Sequence, residues 1–179
     1  MILWGNNYMK IFITNLAKYN EGILKGEWIS LPMDEMKLQS KIINILGGDE
    51  EFFITDYEAP ITIEEYDDIA DLNKFAENLG EIQEKDEVIA AISNEVLGDG
   101  YSREEMLRIL SEREYYVVDD VWNETDLAIK VDASLLPFDY QVAEAAGVSG
   151  YIDWDAVGRD MTMDGWNITG RGFAVKIFK

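Results

Sequence analysis

The chain has 179 residues, 36 of them acidic against 15 basic, and a formal charge of −21; that sign repels nucleic acid and anionic membranes and attracts basic protein surfaces. With 47% hydrophobic and 12% aromatic residues it is too apolar for a disordered acidic tail, and it is long enough to bury a core. The sequence contains no cysteine and no histidine, which excludes disulfides, thiolate metal sites and cysteine nucleophiles and removes the usual imidazole base, leaving carboxylates as the only ready ligands for Mg²⁺ or Ca²⁺.

Residues 1–9 carry no clear pattern and read as an extension, with Met9 as a candidate start. No basic region precedes an apolar run there, and no segment reaches the length of a bilayer span, so the expected location is the cytoplasm. From Lys10, "KIFITNL" reads as a strand, with Phe12, Thr14 and Leu16 on one side and Ile11, Ile13 and Asn15 on the other. "YNEG" supplies turn chemistry, and "GEWISLP" is a second strand stopped by Pro32. "MDEMKLQSKIINILGG" reads as a helix whose apolar side holds Met36, Ile42 or Ile43, and Leu46, stopped by Gly47 and Gly48. "EEFFITDYE" is a further strand, and the whole makes a small α/β unit over residues 9–60.

From residue 62 the apolar period becomes helical. Thr62 and Glu65 form a capping box, after which Tyr66, Ile69, Leu72, Phe75 and Leu79 recur at steps of three or four. "KDEVIAAISNEVL" gives a short helix through Val88, Ile89, Ile92 and Val96, stopped by "GDG". Ser102 and Glu105 repeat the capping box before a helix holding Met106, Leu107 and Leu110. These make a helical middle over residues 61–113. In the remainder, 114–179, "YYVVDDVW" reads as a strand and "ETDLAIKVDASLL" as helical. Asp153 caps a helix with Ala156, Val157 and Met161 on one face. "WNITGRGFAVKIF" reads as two strands joined at "GRG". The fold class is α+β, in three small domains: a mixed α/β N-terminal unit, an acidic helical middle and an α+β C-terminal unit.

Residues 49–100 hold seventeen acidic side chains and only two lysines, Lys74 and Lys85. Glu64, Asp67, Asp68, Asp71 and Glu77 fall mostly away from the stripe of Tyr66, Ile69, Leu72 and Phe75, so one helix can bury its apolar side and present carboxylates along its length. Residues four apart on a helix are about 6 Å apart along its axis, a scale compatible with the roughly 1.7 Å per charge of duplex DNA once several helices contribute. Two chains at −21 each carry the charge of about 71 Å of duplex by length alone. Like charges at i and i+4 cost a helix about 0.2–0.5 kcal/mol per pair, which the two capping boxes offset in part. Charge alone does not choose among a solubilising face, an imitation of a polyanion, a cation site and an acidic adaptor for a basic protein.

Enzymatic readings are weaker. Asp153, Asp155 and Asp160, joined by Asp119 and Asp120 if the fold gathers them, could hold Mg²⁺ and activate water, but they lack a complete calcium loop and Asp153 serves more simply as a cap. Glu64/Glu65 and Asp67/Asp68 are adjacent pairs without the convergence that acid/base work needs. Arg103, Arg108 and Arg113 rotate around their helix and form no basic face. Tyr115, Tyr116 and Trp122 are core or interface aromatics. No catalytic residue, metal site or cofactor is expected.

"KIFITNLAKYNEGILKGEWISLP", "EEFFITDYEAP" and "YIDWDAVGRDMTMDGW" closely resemble the ArdA antirestriction family in content, order and spacing, over Lys10 to Phe178. The N-terminal match lies on Leu16, Tyr19, Asn20, Gly22, Gly26 and Trp28, read as fold-defining; the late match lies on Ile152, Asp153, Trp154, Ala156, Arg159 and Asp160, with Arg159 placed to balance nearby carboxylates. The resemblance implies a DNA mimic of mobile elements that occupies the DNA-binding surface of type I restriction-modification enzymes, especially the methyltransferase core, and converts no substrate. It implies an elongated homodimer with three small domains per chain and C-terminal dimer contacts, for which Tyr140, Val142, Ala143, Tyr151 and Trp154 are candidates. The residues assigned to mimicry are Asp49, Glu50, Glu51, Asp56, Glu58, Glu64, Glu65, Asp67, Asp68, Asp71, Glu77, Glu81, Glu84, Asp86, Glu87 and Glu95. The competing expectation is an acidic adaptor for a basic protein that never binds DNA.

Overall fold

The structure, a computed structural model, describes residues 9–178; the reading of the first residues as an extension lies, up to residue 8, outside them. The chain divides into two compact units, residues to 86 with 101–107, and 87–100 with 108 onward. Among the described residues it is mixed α and β, with two small sheets and several short helices.

The first unit is built on an antiparallel sheet of order β2-β1-β3, from β1 (Met9–Asn15), β2 (Gly26–Leu31) and β3 (Phe52–Glu58). Alternation gives β1 one closed side: Met9, Ile11 and Ile13 are fully buried together with Ile29 and Leu31 of β2. Leu16 does not continue the strand. It opens α1 (Leu16–Asn20), because Asn15 caps that helix, its Oδ1 accepting from the Lys18 N–H at 3.0 Å. Of the predicted turn at 19–22, Tyr19 and Asn20 are the end of this helix and Glu21 and Gly22 form the turn. α2 (Glu35–Leu46), capped by Asp34, lies against β1. Its buried residues are Leu38 and Ile45; of the expected apolar side, Ile42 and Leu46 are half-buried, whereas Met36 and the alternative Ile43 are exposed. Leu38 and Ile45 are seven apart, two turns of one stripe.

The capping box expected at Thr62 and Glu65 is not formed. Residues 62–68 are non-helical, and α3 (Ile69–Leu79) starts at Asp68, whose Oδ1 accepts from Ala70 N–H (2.8 Å) and Asp71 N–H (3.0 Å). Ile61 and Ile63 are both buried; an extended segment can aim both inward, whereas a helix at 100° per residue would place them on opposite sides. Ile69, Leu72, Phe75 and Leu79 bury the expected stripe, but Tyr66 stands outside the helix and exposed. The box at Ser102 is present and reciprocal: Glu105 N–H donates to Ser102 Oγ (3.2 Å) and Ser102 N–H to Glu105 Oε2 (3.1 Å), opening α5 (Arg103–Glu112).

The expected helix over 85–97 is composite: α4 (Asp86–Ala90) runs into a π-helical turn, Ala91–Leu97. In the second unit, β4 (Tyr115–Asp119), β5 (Trp166–Ile168) and β6 (Phe173–Ile177) form an antiparallel sheet of order β4-β6-β5. α6 (Glu124–Lys130) and α8 (Trp154–Met163) pack together, and Val121, Leu127, Ala128, Val131, Met161, Trp166 and Ala174 form the core. Asp153 caps α8 as expected, accepting from the Ala156 N–H at 3.1 Å. α7 (Tyr140–Ala145) buries none of its residues.

Candidate functional site: an acidic surface

The predicted carboxylates separate by what they touch. Asp49 is half-buried and accepts from the Nδ2 of fully buried Asn15 at 3.0 Å, while the same amide also donates to the Ile45 and Leu46 carbonyls at the end of α2. Glu58 pairs with Lys10 at 2.9 Å across the sheet. Asp67 pairs with Arg103 and accepts from the Glu64 N–H. Glu95, projecting from the π-helical turn, holds the β5–β6 connection: it pairs with Arg171 Nε at 2.8 Å and accepts from the Gly170 N–H at 2.6 Å. Asp68 caps α3, Asp56 accepts from the Tyr57 N–H and Glu84 from the Lys85 N–H, and Asp86 is half-buried with interactions of its own.

Glu50, Glu51, Glu64, Glu65, Asp71, Glu77, Glu81 and Glu87 are different. All eight are exposed, and among the described residues their carboxylates have no ion pair or hydrogen bond. None of the sixteen predicted acids is buried. Within α3 itself only Asp71 and Glu77 remain of the five acids expected along that helix, with Lys74 between them; Glu64 and Asp67 precede the helix and Asp68 caps it. The like-charge penalty expected within a helix is thereby reduced, because carboxylates ahead of an N-terminus face the positive end of the helix dipole.

The pKa shifts belong to surface pairs. Asp120 is held below the usual carboxylate value by hydrogen bonds from Lys130 Nζ (2.8 Å) and the Trp122 indole (3.0 Å), and Lys130 is raised by the same bond. Asp132 is lowered by the Ser134 hydroxyl (2.6 Å) and backbone N–H (2.9 Å). Lys18 is raised by Glu21, and Arg108 by Glu114 and Glu112. Three of the five acids weighed as metal ligands have other tasks: Asp153 caps α8, Asp155 pairs with Arg159, and Asp120 pairs with Lys130. No group of three or more acids among the described residues is placed to hold a metal ion.

The candidate dimer residues also separate. Val142 and Tyr151 are exposed, at 63% and 88%. Tyr140 and Trp154 are half-buried, with their rings 5.9 Å apart and Phe138 on the other side of Trp154 at 6.3 Å; Ala143 is half-buried.

The family model described as antirestriction protein (ArdA) matches residues 11–175. The chain belongs to the ArdA antirestriction family. ArdA proteins are carried by mobile elements and inhibit type I restriction-modification enzymes by mimicking duplex DNA and occupying the DNA-binding surface in its place, and that is the function of this chain. No curated protein matches it. Among the described residues of this ArdA protein, no helix is long and apolar enough to cross a membrane.

Two residues that lie inside the motifs but were not among the positions named for the match support the ArdA fold locally. Gly158, inside "WDAVGRD", lets α8 approach α6: a Cβ there would lie 1.9 Å from the Glu124 carbonyl oxygen. Asn15 joins α1, α2 and Asp49 as described above. The first could be suspected from a glycine inside a helical pattern; the second gives no signal, since its partners are 30, 31 and 34 residues away.

Proposed function

We propose that the surface offered to the type I enzyme consists of the sixteen predicted carboxylates, with Glu50, Glu51, Glu64, Glu65, Asp71, Glu77, Glu81 and Glu87 as its principal members. One observation carries the reading: those eight are exposed and uncompensated among the described residues, so their field is available to an incoming cation. The other eight stay on the surface but have partners: Glu58, Asp67 and Glu95 pair with a lysine or an arginine, Asp56, Asp68 and Glu84 accept from backbone N–H groups, Asp49 accepts from the Asn15 amide, and Asp86 has interactions of its own. The partner is the methyltransferase core, whose basic residues pair with this surface and are withheld from DNA. The protein acts by occupancy, converting no substrate and using no cofactor or metal, in the cytoplasm. It works as an elongated homodimer of chains with three small domains, 9–60, 61–113 and 114–179, joined through Tyr140, Val142, Ala143, Tyr151 and Trp154.

The test is displacement. Protein is titrated into a type I methyltransferase bound to labelled DNA at several salt concentrations. The expected result is release of DNA, weakening as salt rises. Retention of DNA in every type I complex tried, even at low salt, would return the surface to the adaptor reading. Neutralising Glu64, Glu65, Asp71 and Glu77 together is expected to weaken displacement more than any single change.

A further inference from the structure

One face of the N-terminal sheet carries a row of side chains that the charge reading does not use. Phe12 of β1 pairs with Trp28 of β2 on one side and, at a register shift that leaves Thr55 as an extra residue, with Asp56 of β3 on the other; the Lys10–Glu58 bond two residues along puts Asp56 on the same face as Phe12. The Phe12 and Trp28 rings meet edge to face, centroids 5.4 Å apart and planes at 69°. The Phe12 ring lies over Gly26, where a Cβ would sit 2.6 Å from its Cε1. The same Cβ would lie 2.6 Å from the Ile13 carbonyl oxygen, so glycine is required here by the neighbouring backbone as well as by that ring.

The row is open to solvent: Trp28 is 41% exposed, Phe12 half-buried and Asp56 exposed. Asp56 accepts from the Tyr57 N–H at 2.8 Å but has no ion pair among the described residues. The next row, Lys10 with Glu58, is already neutralised at 2.9 Å. The other side of β1 and β2 is the fully buried one. An exposed tryptophan is therefore maintained on the side that carries a carboxylate with no ion pair among the described residues, and an imitation of phosphates alone has no use for it.

We propose that the Trp28–Phe12–Asp56 row is an arginine-binding subsite for the target. The aromatic faces attract a guanidinium through their quadrupole. A planar, weakly hydrated guanidinium stacks on such a surface better than a strongly hydrated ammonium, and Asp56, one strand spacing of about 4.8 Å beyond Phe12, supplies the anionic end. Charge complementarity selects the occupant, since the chain carries −21 and the row's own carboxylate has no cation beside it among the described residues. This deepens the proposed function and rests on it for the identity of the protein that donates the arginine.

Two measurements test it. The first contains no restriction enzyme: N-acetyl-arginine methylamide and the lysine analogue are titrated into ¹⁵N-labelled protein, and the indole N–H resonances are followed, with Trp28→Phe assigning the Trp28 signal. The arginine amide is expected to shift the Trp28 resonance more than the lysine amide does, with the response reduced in Asp56→Asn. Equal responses to the two amides, or a silent Trp28, would overturn the subsite. The second is the displacement assay with Trp28→Leu and Trp28→Phe: the leucine variant should need about 2–5-fold more protein with little change in salt sensitivity, and the phenylalanine variant should recover part of the loss. Undiminished displacement by Trp28→Leu would also overturn it. If the wild-type protein displaces no DNA, it is the proposed function that falls, and the amide titration alone decides the subsite.

Discussion

Gly158 shows how a single residue can be structurally decisive and nearly silent in sequence. Inside a helix a glycine costs about 1 kcal/mol relative to alanine, so by propensity Gly158→Ala should help. The backbone of Glu124 reverses that sign, because an added Cβ would meet its carbonyl oxygen at 1.9 Å and its carbonyl carbon at 2.4 Å. Backbone cannot rotate away as a side-chain tip can. Gly158→Ala is expected to destabilise the protein by at least the ~1–3 kcal/mol of an overpacked core, read as a lower midpoint in urea. Asp120 offers a second residue-scale test. Its folded carboxyl lies below the ordinary 3.8 because Lys130 and Trp122 donate to it. A lowered carboxyl stabilises the fold above its unfolded value, and that contribution is lost as pH falls through the folded value; for the raised Lys130 it is present below 10.5 and lost as pH rises through the folded value. In Lys130→Met, NMR titration should find the Asp120 carboxyl moved back up toward 3.8.

At the scale of elements, α3 separates charge from structure. Asp68 is both a surface anion and the cap of that helix. Asp68→Ala should cost about 0.5–2 kcal/mol, whereas Asp68→Asn, which caps about as well, should unfold with the same denaturant midpoint to within a few tenths of a kcal/mol. Equal losses in the two variants would mean that the charge, not the cap, supports the helix. The cap also explains what was legible. Short runs of strand-forming apolar residues in "KIFIT" and "FAVKI" mark β1 and β6, the central strands of their two sheets. Thr62 failed as a start signal although it fits the capping pattern, because burying both Ile61 and Ile63 holds that segment extended and leaves the start to Asp68. The face of α2 is legible only in part for a different reason: Met36, Leu38, Ile42, Ile43, Ile45 and Leu46 leave little of the helix circumference polar, and packing on β1 selects Leu38 and Ile45, with Ile42 and Leu46 half-buried beside them and Met36 and Ile43 left out. The site was legible as composition but not as availability. Lys10 lies 48 residues from Glu58 and Arg103 lies 36 from Asp67, so which acids are neutralised is decided by tertiary structure.

For the whole molecule, two associations of one highly charged chain should respond to salt in opposite ways. Binding to a basic enzyme surface is an attraction between unlike charges, and screening weakens it. Self-association brings together two chains of −21 each, so the long-range term is repulsive and must be overcome by contact. The second unit has material for that contact. Val142, Val148, Tyr151 and Met163 are exposed apolar side chains, and α7 contributes no buried residue to its own chain. Raising salt from about 10 mM, where the Debye length is about 30 Å, to 150 mM, where it is about 8 Å, should therefore tighten the proposed homodimer while loosening the complex with the type I enzyme. Sedimentation over a range of protein concentrations measures the first, and DNA displacement the second. Val142→Glu with Tyr151→Glu places charge where the side chains are already solvated, so the fold should hold while the dimer dissociates to monomer. A dimer that survives this double substitution, or that loosens with salt in parallel with the enzyme complex, would place the self-association on a charged surface elsewhere in the chain.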